Sequence, residues 1–539
     1  MAQILSAIAA TLSLAGSPEA PQVGASGFSV TGDAVAGYSL APTDARSPGG
    51  ELFAAWVPTA PAPSGVEATV TATAADGGVD LTWSFVNHRA DAVTLSQLPL
   101  PSFALGDPAY ALNFIGSGWA QRLSARDANG PRRMQATYPG ELYSPVAVVI
   151  GESAAVGISL QYDLTEARHD VSLSVEPGEP GRWNVMLRLD RSPDHADGVL
   201  RSPARLGPGE RRAYGVSIRA TASREGWLET LTPYWTWFHE RYGGVTYAKD
   251  ASAIRGCLLC LSSEQSESNP QGWVPEANRP DRNGYAAVIR VLADALRQSN
   301  RAILWTPTGM AWKNKELNYP FQFTTHWRDD PSGPMVSAPD LLKAAQFDPS
   351  RSWGLWWGHS ADFNPGWDSL PMSPLDPANP TQRDAALAEL RLAVASGAAT
   401  VGLDAFSHAS VPAWTLIPWL QELQKEAPNV RFCTEGRAPD VLHRLSPTWL
   451  DFWRFAPDRF GESTMIRGPF LLADWLLPGH ETWAAMLFDR SGNGSLHGQA
   501  GDPAAQRSKV DWAARQGYVP VVFTSMDVSG IRATSGGSR

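Results

Sequence analysis

At 539 residues, with 43% hydrophobic and 18% charged side chains and a formal net charge of -10, the chain is too long for one ordinary domain and has the wrong sign of charge for nucleic acid or an anionic membrane surface. Its 48 glycines and 43 prolines exceed ordinary usage but fall short of a disordered composition. Two globular, loop-rich domains and a neutral or cationic ligand are expected.

Residues 1–28 form a Gly/Ser/Pro-rich lead. Within it, residues 4–16 have the length and small-residue end of a signal h-region, but no Lys or Arg precedes them. Secretion or a periplasmic location is therefore only slightly favoured over the cytoplasm. No later run approaches the roughly 18 apolar residues of a spanning helix, so no membrane insertion is expected.

From residue 29 to 222, short period-two segments recur between turn residues. Val66-Glu-Ala-Thr-Val-Thr-Ala-Thr alternates cleanly and meets residues 79–86 through Asp76-Gly-Gly, which is hairpin chemistry. Further runs at 147–151, 156–162, 171–175, 183–189 and 213–220, the last introduced by Gly207-Pro-Gly-Glu210, predict an antiparallel β-sandwich domain.

Near Ser223 the pattern changes. Residues 227–242 read as an aromatic helix, and beyond them strands alternate with helices, the sign of a parallel sheet with crossovers. Strands are expected at 256–261, 302–306, 353–358, 400–406, 431–435, 450–455, 470–476 and 519–524, a number that suits a (β/α)8 (TIM) barrel over residues 223–539. Of the helices, 284–299 carries Val288, Val291, Leu292 and Leu296 on one face; Thr381-Gln-Arg-Asp384 resembles a capping box whose helix stops at Gly397; and 411–428 forms one helix. Residues 526–539 are too few and too Gly/Ser-rich for a full closing helix, which leaves residues 227–242 to close the barrel, or a truncated chain. Cys257, Cys260 and Cys433 all fall in predicted strands and read as free core thiols.

The chemistry gathers at two strand ends. Strand four finishes Ala399-Thr-Val-Gly-Leu-Asp404, and strand five finishes Phe432-Cys-Thr-Glu435. An acid where a buried parallel strand stops projects from its carboxyl edge, where barrel active sites are built. Two such carboxylates on neighbouring strands supply the nucleophile or base and the proton donor of glycoside hydrolysis. The competing readings are structural: Asp404 as a cap of the following helix, and Glu435 paired with Arg437.

Long connections after strands one, two and three reach the same rim. Trp273, Trp312, Trp327 and Trp367 are candidate platforms for the apolar faces of sugars. His359, Asp362, Asp368, His408 and Arg437 are candidate partners of sugar hydroxyls, with ordinary turn or core duty as the alternative. No Gly-rich phosphate loop, zinc-ligand spacing or Gly-x-Ser-x-Gly elbow occurs, and the third loop does not have EF-hand spacing. No metal or cofactor is expected.

This layout resembles retaining (β/α)8-barrel glycoside hydrolases with an N-terminal β-sandwich, of the broad α-amylase, endo-α-N-acetylgalactosaminidase and α-galactosidase type. Leu403-Asp404-Ala-Phe-Ser-His408 is similar to the α-amylase Asp-x-x-x-His segment, which implies Asp404 as nucleophile, and Thr434-Glu435-Gly implies Glu435 as acid/base. Two departures stand out: Gly402 occupies the place of the α-amylase Arg, and the Asn-His and His-Asp segments of strands three and seven are not evident. α-Galactosidases take the acid from strand six, where Asp458 would serve. The resemblance implies hydrolysis of an α-linked oligosaccharide or glycoconjugate through a covalent glycosyl-enzyme. An inverting hydrolase using the same acids, and a non-catalytic carbohydrate-binding or structural barrel, are the alternatives. The sequence implies no oligomeric state.

Overall fold

The computed structural model describes residues 12–14, 28–31, 38–40, 54–57, 62–75, 78–106, 110–115, 119–124, 134–150, 155–177, 182–189, 204–221, 224–246, 257–261, 301–305, 311–313, 316–318, 326–327, 336–337, 352–357, 360–363, 373–395, 397–404, 406, 411–435, 438–451, 471–485 and 519–523. The chain divides into two compact units, one of Met1–Asp197, Arg201–Gly244 and Pro469–Leu476, the other of Gly198–Leu200, Val245–Gly468 and Leu477–Arg539.

Two antiparallel sheets build most of the first unit. The eight-stranded sheet runs in space Trp119–Ser124, Tyr110–Ile115, Leu142–Ile150, Ala155–Gln161, Arg211–Thr221, Gly78–Asn87, Val66–Ala75, Phe28–Thr31. The five-stranded sheet runs Met134–Tyr138, Val171–Pro177, Arg182–Leu189, Pro99–Gly106, Ala54–Val57. The alternating hairpin pairs from Val66↔Asn87 to Ala75↔Gly78, and its period-two pattern buries Leu81, Trp83 and Phe85 on one face. Inside this unit the fully buried His169 is satisfied on both nitrogens, Nδ1 by Asp170 O at 2.9 Å and Nε2 by Tyr214 OH at 3.0 Å. Part of the expected lead is structured, since Leu12–Leu14 pairs with Tyr38–Leu40.

The aromatic segment starts as a 3-10 helix, Arg224–Leu231, and continues as an α-helix, Thr232–Tyr242, which ends at Gly243 with φ +78°. It belongs to the first unit. There Tyr242 OH donates to Asp163 Oδ1 at 3.0 Å, while Trp235 Nε1 and His239 Nε2 donate to the Trp475 and Leu476 carbonyls at 3.2 and 2.7 Å.

In the second unit eight strands close into a barrel: Cys257–Leu261, Arg301–Trp305, Ser352–Trp357, Thr400–Leu403, Arg431–Glu435, Thr448–Asp451, Glu481–Ala485 and Val519–Phe523. Every neighbouring pair is parallel, and strand eight returns to strand one at Cys257↔Val521. Closure is thus made strand to strand.

Strand seven corrects the sequence reading. Residues 471–476, expected as a strand, form the helix Leu471–Leu476, which buries Leu472, Ala473 and Leu476 and exposes Asp474. A short apolar run is ambiguous between the two states, and here the burial follows the helical period. Strand six is described over Thr448–Asp451, starting two residues before the expected 450–455, of which 452–455 lie outside the described residues. The helix Pro380–Ala395 is capped by Asn379, whose Oδ1 accepts from Thr381 N at 3.0 Å, so Thr381 is not the cap. It stops before Gly397, at φ +94°, as expected. Helix Ala413–Glu426 buries Leu416, Ile417, Trp419, Leu420 and Leu423 along one face. Cys433 is a buried free thiol, and the expected helix 284–299 lies outside the described residues. Among the described residues no helix is long and apolar enough to cross a membrane.

Candidate active site

Strand pairing tells which way the barrel residues face. The row Leu403↔Thr434↔Trp449↔Thr482 includes Trp449, whose ring stacks on His443 of helix Asp440–Leu445 with centroids 3.4 Å apart. This row faces the helices. Since side chains alternate along a strand, the intervening row Cys433↔Thr448↔Glu481 faces the barrel interior. The interior contacts agree: Arg431 Nη1 lies 3.4 Å from Glu481 Oε1, and Trp483 Nε1 donates to the same oxygen at 2.5 Å. Side chains two strands apart meet there, as the concave side of a barrel allows.

Asp404 follows strand four directly. Its amide donates to Trp357 O at 3.0 Å, and its carbonyl accepts from both Ser360 N and Ser360 Oγ, each at 2.9 Å. The residue is only 9% exposed. Because Leu403 pairs with Thr434, position 404 falls opposite position 435, the last residue of strand five, which itself pairs with Leu450. Neighbouring strands lie about 4.8 Å apart. Counting along each strand, positions 404 and 435 have the parity of Gly402 and of Cys433, the interior row.

Asp451, inside the strand expected at 450–455, is the last described residue of strand six and pairs with Ala484.

Three of the remaining candidates lie among the described residues. Asp362, half-buried, opens a small hairpin after strand three in which Asp362–Phe363 pairs with Ser373–Pro374, anchored by Leu375 N donating to Ala361 O at 2.9 Å. Trp312 lies in strand Ala311–Lys313, paired with Glu316–Asn318, and Trp327 in strand His326–Trp327, paired with Val336–Ser337. Both hairpins belong to the connection after strand two. Trp273, His359, Trp367, Asp368, His408, Arg437 and Asp458 lie outside the described residues. Among the described residues no cluster of three or more His, Cys, Asp or Glu is arranged to hold a metal ion.

No protein-family model matches the sequence, and no curated protein matches it. Solved structures do. The galactosidase domain of an α-galactosidase–sucrose kinase superposes with a TM-score of 0.50 at 10% identity, covering 90% of this chain and 67% of that one. The α-galactosidase from Lactobacillus brevis gives a TM-score of 0.50 at 11% identity, covering 97% of this chain and 69% of that one. At this identity the likeness is one of fold. It agrees with the resemblance to glycoside hydrolases read from the sequence, without securing a family.

Proposed function

We propose that the protein is a retaining glycoside hydrolase acting on an α-linked oligosaccharide or glycoconjugate. One observation carries the reading: Asp404 and Glu435 come directly after Leu403↔Thr434, the last pair between neighbouring strands four and five of a closed parallel barrel. Adjacent strands suit carboxyls about 5–5.5 Å apart, the retaining spacing, better than the roughly 6.5–9.5 Å that inversion needs. In this mechanism Asp404 attacks the anomeric carbon while protonated Glu435 donates to the leaving oxygen; Glu435 then takes a proton from the water that releases the sugar. Loop aromatics such as Trp312, Trp327 and Trp367 would supply sugar platforms, and the β-sandwich of residues 29–222 would contribute no catalytic group. The fold neighbours are α-galactosidases by name, so an α-galactoside is the first substrate to try.

The test uses the different duties of the two acids. Asp404→Asn should abolish turnover of every glycoside, because no leaving group replaces the covalent step. Glu435→Gln should still form the glycosyl-enzyme from substrates with good leaving groups, and azide should speed its breakdown. Turnover like the parent's in Asp404→Asn removes this nucleophile. An inactive parent on a broad panel of α- and β-glycosides, with sugar affinity unchanged in both variants, favours the binding-protein reading instead.

A further inference from the structure

We propose that Ser360 is a positioning residue for the nucleophile, an assignment that rests on Asp404 having the role given above. Asp404 lies one residue past the last ladder pair of strand four, so its amide still makes the closing bond of the Trp357↔Leu403 pair while its carbonyl lies beyond the ladder. Strand three and its continuation supply both partners. Trp357, its last residue, accepts from Asp404 N at 3.0 Å, and Ser360, fully buried three residues later, donates both its amide and its hydroxyl to Asp404 O at 2.9 Å. The peptide units on both sides of the Asp404 Cα are therefore tied to one short segment. A carboxylate that must meet an anomeric carbon in line needs this restraint, since small misplacements of a reacting group cost large factors in rate.

Ser360→Ala removes the hydroxyl bond and keeps the amide bond. With the nitrophenyl glycoside that the parent turns over best, kcat should fall about 10-fold or more while KM changes little, and nitrophenolate release in the first turnover should slow by the same factor. Ser360→Thr, which keeps the hydroxyl, should recover much of the loss. Ser446 provides the control: its buried hydroxyl donates in the same way to Phe432 O at 2.8 Å, away from the rim. Ser446→Ala should lower Tm comparably and leave kcat near that of the parent. Parent-like kcat in Ser360→Ala, or an equal kcat loss in Ser446→Ala, overturns the proposal and leaves Ser360 a structural serine. If Ser360→Ala does not fold, Ser360→Cys, similar in volume but a weak donor, carries the same comparison. The underlying reading fails by a different result: turnover surviving in Asp404→Asn, or a parent inactive on every glycoside, removes nucleophile and positioning residue together.

Discussion

His443 is fully buried. Burial, with a smaller contribution from His480 at a ring distance of 4.9 Å, holds its pKa well below the usual histidine value. The unfolded chain, with an ordinary histidine, binds a proton first as pH falls below about 6.5. Stability contributed by the neutral imidazole is thus present above that pH and is lost progressively below it. His443→Phe, which keeps a ring on Trp449, should flatten the fall of Tm between pH 7 and 5; an acid limb as steep as the parent's would show that other groups set it. The Arg431–Glu481 pair allows a second test. Glu481 is 4% exposed at its side chain and also holds the Trp483 indole, so Glu481→Ala removes a buried acceptor shared by Arg431 and Trp483 and should cost about 1–3 kcal/mol by denaturant unfolding. Replacing both partners by apolar residues should cost less.

Elements show what a sequence can and cannot announce. Strands four and five are buried apolar runs, Asp404 following the one and Glu435 closing the other, so the strands could be found by inspection. Strand seven could not, because Glu481-Thr-Trp begins with a carboxylate whose burial is acceptable only once Arg431 and Trp483 meet it from within the barrel. The preceding Leu471–Leu476, more apolar, drew the strand assignment and is a helix. Ser360 was equally silent, since its hydrogen bonds go to the backbone carbonyl of a residue remote in sequence. Gly354 of strand three illustrates a further constraint: a Cβ there would lie 2.4 Å from Thr400 O of strand four. Backbone cannot yield as a side-chain tip can, so Gly354→Ala should destabilise by about 1–3 kcal/mol, read as a lower midpoint at unchanged slope in urea.

At the scale of the molecule, the two units are not two consecutive stretches of chain. Residues Pro469–Leu476, between barrel strands six and seven, belong to the first unit, where their carbonyls accept from Trp235 and His239. A fragment beginning at residue 223 keeps those donors, and one beginning at 245 loses them. The longer fragment should resist limited proteolysis near residue 476 better, and equal cleavage of both would show that the two hydrogen bonds do not hold the helix. The pairing of Val519–Phe523 with Cys257–Leu261 carries a consequence in time as well as in space. Strand one must wait for roughly 260 further residues to be translated, on the order of 13–50 s at ordinary synthesis rates, before its last neighbour exists. Throughout that interval the nascent sheet presents an unpaired edge, so ribosome-bound chains stalled before residue 519 are those on which a chaperone that shields strand edges should be found.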